Sequence, residues 1–262
     1  MGDLYLLKSG VFTLEHYLKE LEKQFQKHFD NHGRFNYSVG ESSFDTWLDG
    51  YVKGVPGRKV SIYVEGCLLA FVTDYMLRKA TKNKTGLEGV MKRMYYHPEI
   101  IAKGYQEKTY REVLENVSSV SFDSLFDHYV NGTHSYESIL IEALDYFGLE
   151  LIQSTSSSYS ESVLGIKTQQ KNKKTCVLDI FPGSPADMGA LSVGDEIIGI
   201  NKVEVDNNMD KWLSYFESEN ELFLTISRDQ TLVEIHIPIV NRSFYQRNRI
   251  QIKTNATKYQ IK

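Results

Sequence analysis

Residues 181–205, FPGSPADMGALSVGDEIIGINKVEV, restrict the possible folds more than any other stretch, because they read as a turn, a short helix, a tight turn and a strand in that order. The run CVLDIF before them is apolar and strand-like, and Pro182-Gly183 ends it. Ser184 is placed to cap a helical turn that Pro185 opens, since the missing N–H of proline is harmless at a first helical position. Gly194-Asp195 then turns the chain into the strand EIIGI. One Gly-Asp pair would say little; SPA, GAL and VGDEIIGIN in register define a unit. Leu232, Val233, Ile235 and Ile237 predict its closing strand.

The first 149 residues follow a helical period instead. Leu14, Tyr17, Leu18, Leu21 and Phe25 recur on one face behind Thr13, a natural N-cap. Residues 31–60 carry Gly, Asn and Pro and read as loops around a short helical piece at 44–48. Residues 61–78 are apolar almost all round, the profile of a helix at the centre of a domain. Thr85-Gly86-Leu87-Glu88 has the capping-box spacing ahead of Val90, Met91 and Met94. Amphipathic helices are expected over 107–117, 122–130 and 136–147, the last stopped by Gly148. Ser-rich residues 150–162 read as a linker whose first residues could open a strand. The stretch from Asn241 has six Lys or Arg and no acid, and reads as a solvated extension. The expectation is a multidomain α+β chain, with a helical domain at 1–149, a β-rich domain at 150–240 and a basic tail at 241–262.

Composition narrows the function classes. With 262 residues, 41% hydrophobic and 12% aromatic, the chain can build two packed cores. Thirty Lys plus Arg against 34 Asp plus Glu give a net charge of -4, and so no electrostatic case for nucleic acid or an anionic membrane. The longest apolar run is broken by Glu65, Gly66 and Asp74, and no leader pattern is visible, so a soluble protein of open compartment is expected. Leu4, Tyr5, Leu6 and Leu7 make an unusually apolar beginning, which reads as a piece of a larger protein. Cys67 and Cys176, in separate apolar runs, read as buried free thiols.

No GxSxG elbow, phosphate loop or dinucleotide fingerprint occurs. His28 and His32 have the i, i+4 spacing of a zinc helix, but Phe29 stands where a metalloprotease needs Glu beside the first His. Asn31 and Gly33 end that helix, so the pair reads as two exposed histidines. No metal site is expected within the chain.

The 181–205 pattern resembles the PDZ domains of bacterial proteases, a β-sandwich or barrel that binds peptides or protein C-termini. That resemblance implies an added strand beside a helix, with the terminal carboxylate held by backbone N–H groups. The loop Val163, Leu164, Gly165 and Ile166 would supply those donors, Gly165 allowing close approach. In the facing helix NMDKWLSYF, Met209 and Leu213 are expected to line the groove, although a stripe that includes Trp212 and Phe216 is also what core packing looks like.

The segments LYLLKSGVFTLEHYL, ESSFDTWLDGY, VSIYVEGCLLAFVTDYMLR and YESILIEALDYFGLEL, in that order, resemble the C-terminal part of the catalytic domain of glycyl aminopeptidase-like metallopeptidases. These are thermolysin-like zinc enzymes (gluzincins) with a C-terminal PDZ domain. The resemblance implies that the zinc-binding HExxH helix and a further Glu ligand precede the segment matching residues 2–10. Zinc is then expected in the full-length enzyme and none in this chain, which alone should be inactive. Substrates would be peptides with small or glycine-like N-terminal residues. Within IYVEG, Tyr63 matches the tyrosine of the family's Tyr-x-Lys-Gly segment, with Glu65 in place of Lys, and is implied as an oxyanion donor. By spacing alone Tyr63 reads as a core tyrosine at a helix start. The competing expectation is a non-enzymatic scaffold that joins a helical domain to a peptide-binding module.

Overall fold

The computed structural model describes residues 2–49, 57–172 and 174–257; the loop expected at 50–56 lies outside them. The chain divides into two compact units, Met1–Ile152 with Arg249–Lys262, and Gln153–Asn248.

The first unit is helical: α1 (Gly2–Lys8), α2 (Leu14–Asp30), α3 (Val39–Asp49), α4 (Ile62–Ala80), α5 (Leu87–Tyr95), α6 (Pro98–Lys103), α7 (Glu107–Ser118), the short α8 (Asp123–Leu125) continued by a π-turn at Phe126–Val130, and α9 (Glu137–Tyr146). The apolar helix is central, as its all-round pattern predicts. α4 packs against α2, α3, α5, α7 and α9. Leu68, Val72 and Leu77 are fully buried beside Phe25, Leu114, Phe122 and Leu140. Thr13 caps α2 by accepting the His16 N–H at 3.1 Å, and Ser61 caps α4 by accepting the Val64 N–H at 3.4 Å.

The capping box at Thr85 does not form. Asp74, from α4, accepts the Leu87 N–H at 2.7 Å, and Arg78 joins Asp74 to Glu88 with bonds of 2.8 to 3.0 Å. A Cβ at Gly86 would lie 2.2 Å from Asp74 Oδ1, so only glycine admits this tertiary cap.

The second unit is a sheet unit with short helices. Its strands are β2 (Ile166–Lys171), β3 (Lys174–Ile180), β4 (Glu196–Ile200), β5 (Val203–Glu204), β6 (Glu221–Arg228) and β7 (Thr231–Pro238), with α10 (Pro185–Met188) and α11 (Met209–Tyr215) between them; β1 (Leu149–Thr155) and β8 (Gln246–Ile252) form a separate two-stranded ribbon. The larger sheet is antiparallel in the order β2-β3-β4-β6-β7, with β5 on β4. Leu222, Leu224 and Ile226 alternate inward on β6 and meet Ile166, Ile197, Ile200 and Ile237 in the core. Ser184 accepts the Asp187 N–H at 3.3 Å with Pro185 at the first helical position, as expected. Asp195 can be buried because both of its carboxylate oxygens are bonded. It accepts the Ser192 N–H at 2.7 Å and two bonds from Arg228 at 2.8 and 2.7 Å.

Two further expectations are corrected. Residues 149–155 are strand β1, not the start of a linker, since their carbonyl and N–H groups find β8. The segment from Asn241 is not a solvated extension: Phe244, Tyr245 and Ile250 are buried, the first two in the second unit and Ile250 in the core of the first. A basic composition concealed the apolar residues placed between the charges. Among the described residues no helix is long and apolar enough to cross a membrane.

Candidate functional site

The start of α4 is where the structure brings chemistry and rigidity together in the first unit. Tyr63 lies in the first turn of α4 and is 66% exposed, so it is a surface residue and not the core tyrosine that spacing suggests. Two residues on, Glu65 points the other way and is 2% exposed. Its Oε2 lies 2.7 Å from Nδ1 of His28 on α2. His28, expected at an exposed helix end, is instead buried, because the helix turns that edge of its last turn into the core.

The pair is enclosed by further groups. The His28 ring stacks on Tyr136 with centroids 4.9 Å apart, and the Tyr136 hydroxyl donates to the Tyr129 carbonyl at 2.6 Å. Arg34 donates to the carbonyls of His28, Phe29 and Asn31, closing the end of α2. Burial pulls the Arg34 guanidinium below its usual range and the Glu65 charge opposes that; burial and then the Glu65 charge push the Tyr136 phenol upward. Glu65 thus ties the first turn of α4 to α2 beneath Tyr63. Gly66 serves no close approach, since a Cβ there would meet nothing within 4 Å.

A cavity of about 700 Å³ in the same unit is lined by Leu4, Leu18, Cys67, Phe71, Phe147 and Ile252 among others, and Tyr63 is not on its wall. Cys67 and Cys176 are both free and partly buried. No group of three or more His, Cys, Asp or Glu that could hold a metal occurs among the described residues.

In the second unit, Ser160–Leu164 form a π-turn ahead of Gly165, whose φ of 73° is left-handed and whose Cβ, if present, would lie 2.3 Å from that of Ser184. Val163, Leu164, Gly165 and Ile166 thus come together as a bend leading into β2, an end strand of the sheet. The Gly165 N–H, an expected carboxylate donor, is given to the Ser160 carbonyl. On α11, Leu213 is fully buried and Met209 nearly so; both sit in the core, while Trp212 and Phe216 are only partly covered. Asp210, which the sequence did not single out, accepts from the Ser158 hydroxyl at 2.7 Å and the Ser160 N–H at 2.8 Å, joining α11 to the loop.

Against this geometry, residues 1–69 match the M61 glycyl aminopeptidase family and residues 153–211 match the PDZ domain family. No curated protein matches. An aminopeptidase N family protein from Idiomarina loihiensis, known from its crystal structure, is 21% identical with a TM-score of 0.85, over 99% of this chain and 46% of that one. The chain therefore spans just under half the length of that protein, with which it shares a fold. The PDZ domain of EpsC from Vibrio cholerae is 18% identical over 28% of this chain and 92% of its own, at a TM-score of 0.24. The resemblance to a glycyl aminopeptidase with a PDZ domain is thus found on both units.

Proposed function

We propose that this chain works within a zinc-dependent aminopeptidase that removes small or glycine-like residues from peptide N-termini, and that its PDZ unit holds a peptide along β2 at the bend of Val163, Leu164, Gly165 and Ile166. The observation that carries the proposal is Tyr63, turned outward on a helix start that buried Glu65 and His28 anchor, inside the region that matches the peptidase family. The described residues do not fit zinc, since no group of three or more His, Cys, Asp or Glu that could hold it occurs among them. In this reading the metal belongs to the part of the enzyme that corresponds to the rest of the longer aminopeptidase, and these residues alone are inactive. What this chain contributes is a phenol hydroxyl that donates a hydrogen bond to an oxyanion formed at the scissile carbonyl, held in place so that little reorganisation is needed.

Tyr63→Phe in the zinc-loaded full-length enzyme tests this. A fall in kcat of about tenfold or more with zinc content and fold retained is the expected result, on the low side of one lost oxyanion donor. An unchanged kcat would remove Tyr63 from the mechanism, and a full-length protein that binds no zinc would leave a peptide-binding scaffold.

A further inference from the structure

We infer that the PDZ unit takes an extended internal segment of another polypeptide, read through its main chain along β2, and not a free C-terminus. The inference rests on the proposal that this unit binds peptides at all. β2 is an end strand: β3 occupies one of its edges, and among the described residues no strand pairs with the other. Such an edge offers a row of N–H and C=O groups to an incoming strand, which is enough for affinity without any terminal group.

Capture of a terminal carboxylate needs more, namely several N–H groups converging at the head of β2. Here the Gly165 N–H is already used. Gly165 donates it to the carbonyl five residues back, that of Ser160, the bond that marks a π-turn. The Ser162 N–H goes to Ser158 at 2.9 Å, and the Ser160 N–H goes to Asp210. The loop is also held from its other side, because Phe244 and Tyr245 donate their N–H groups to the Ser162 and Glu161 carbonyls at 3.0 and 3.3 Å. Unwinding it to free the donors would break these bonds together.

Charge acts in the same direction. The carboxylate of Asp210 already accepts from this loop, so a second carboxylate brought to the same place would meet a like charge. An internal segment brings no such charge, and its chain can continue past the bend.

The test uses the full chain and a random decapeptide array in which every sequence is made twice, once with a free C-terminal carboxylate and once as the amide. For the strongest binders the two forms should agree within about twofold, and hydrogen exchange of residues 166–171 should slow on binding. A preference of tenfold or more for the carboxylate would overturn the inference while leaving peptide binding intact. If no decapeptide in either form slows exchange at 166–171, the peptide-binding reading of this unit falls and the inference with it.

Discussion

Glu65 and His28 are each almost wholly removed from water, so whatever polar or charged groups they carry must be answered inside the protein. His28 Nδ1 and Glu65 Oε2 answer each other while His28 Nε2 meets no partner among the described residues, and loss of either residue leaves the other stranded. His28→Ala or Glu65→Ala is expected to cost about 3–5 kcal/mol, while the double variant His28→Leu with Glu65→Leu should be much closer to the parent, since two apolar groups leave nothing unpaired. Urea unfolding of the three variants measures this; a double variant that costs as much as the two single variants added together would mean that the pair contributes little as a pair. Tyr17 gives a prediction in pH. Burial first, then the charges of Cys67, Asp74 and Asp3, push its phenol up to about 12. Between about pH 10, where a tyrosine of the unfolded chain ionises, and 12, the folded state keeps a proton that the unfolded state loses. The stability Tyr17 contributes is therefore complete below pH 10 and declines as pH rises through that window. Tyr17→Phe should flatten this part of the stability curve.

Helix α5 is held by a residue of another helix. Thr85 had the right spacing to cap it, yet its hydroxyl lies 3.5 Å from the Gly86 carbonyl, and Asp74 takes the Leu87 N–H. A capping box competes with any better acceptor that tertiary packing delivers, and an ionised carboxylate is better than a hydroxyl. Asp74→Ala should cost about 1.5–3 kcal/mol, the worth of hydrogen bonds to a charged group, and should speed hydrogen exchange across Leu87–Tyr95 before other helices of the unit. Uniform acceleration would place the role of Asp74 in the core instead. In the second unit, Gly165 combines a left-handed φ with contact against Ser184. Gly165→Ala should lose at least about 1 kcal/mol, from the backbone penalty alone, with the clash added to it. A thermal midpoint equal to that of the parent would show that the bend adjusts freely.

At the scale of the whole molecule, the last segment of the chain is structural. Phe244 and Tyr245 complete the second unit and Ile250 the first, and burying such side chains is worth roughly 1.5–3 kcal/mol each. Ending the chain after Asn248 should lower the stability of the helical unit, and ending it after Val240 should lower that of both; two-probe thermal unfolding separates the cases. Periodicity and turn chemistry alone determined the elements that draw on neighbours in sequence: α2 behind Thr13, the central position of α4, and the Ser184 cap, Pro185 turn and Gly194-Asp195 turn. Each depends on bonds or faces that recur within a few residues. The all-round apolar run of α4 likewise required burial, whatever its neighbours were to be. Tertiary structure alone decided the rest. His28 became buried and Tyr63 exposed, Asp74 displaced Thr85 as a cap, Asp210 reached the Ser158 loop, and a basic tail became a strand. Those outcomes join residues from 13 to 101 positions apart. No local pattern encodes which partner across the fold will come within hydrogen-bond reach, and at these positions that partner set both the burial and the role of the side chain.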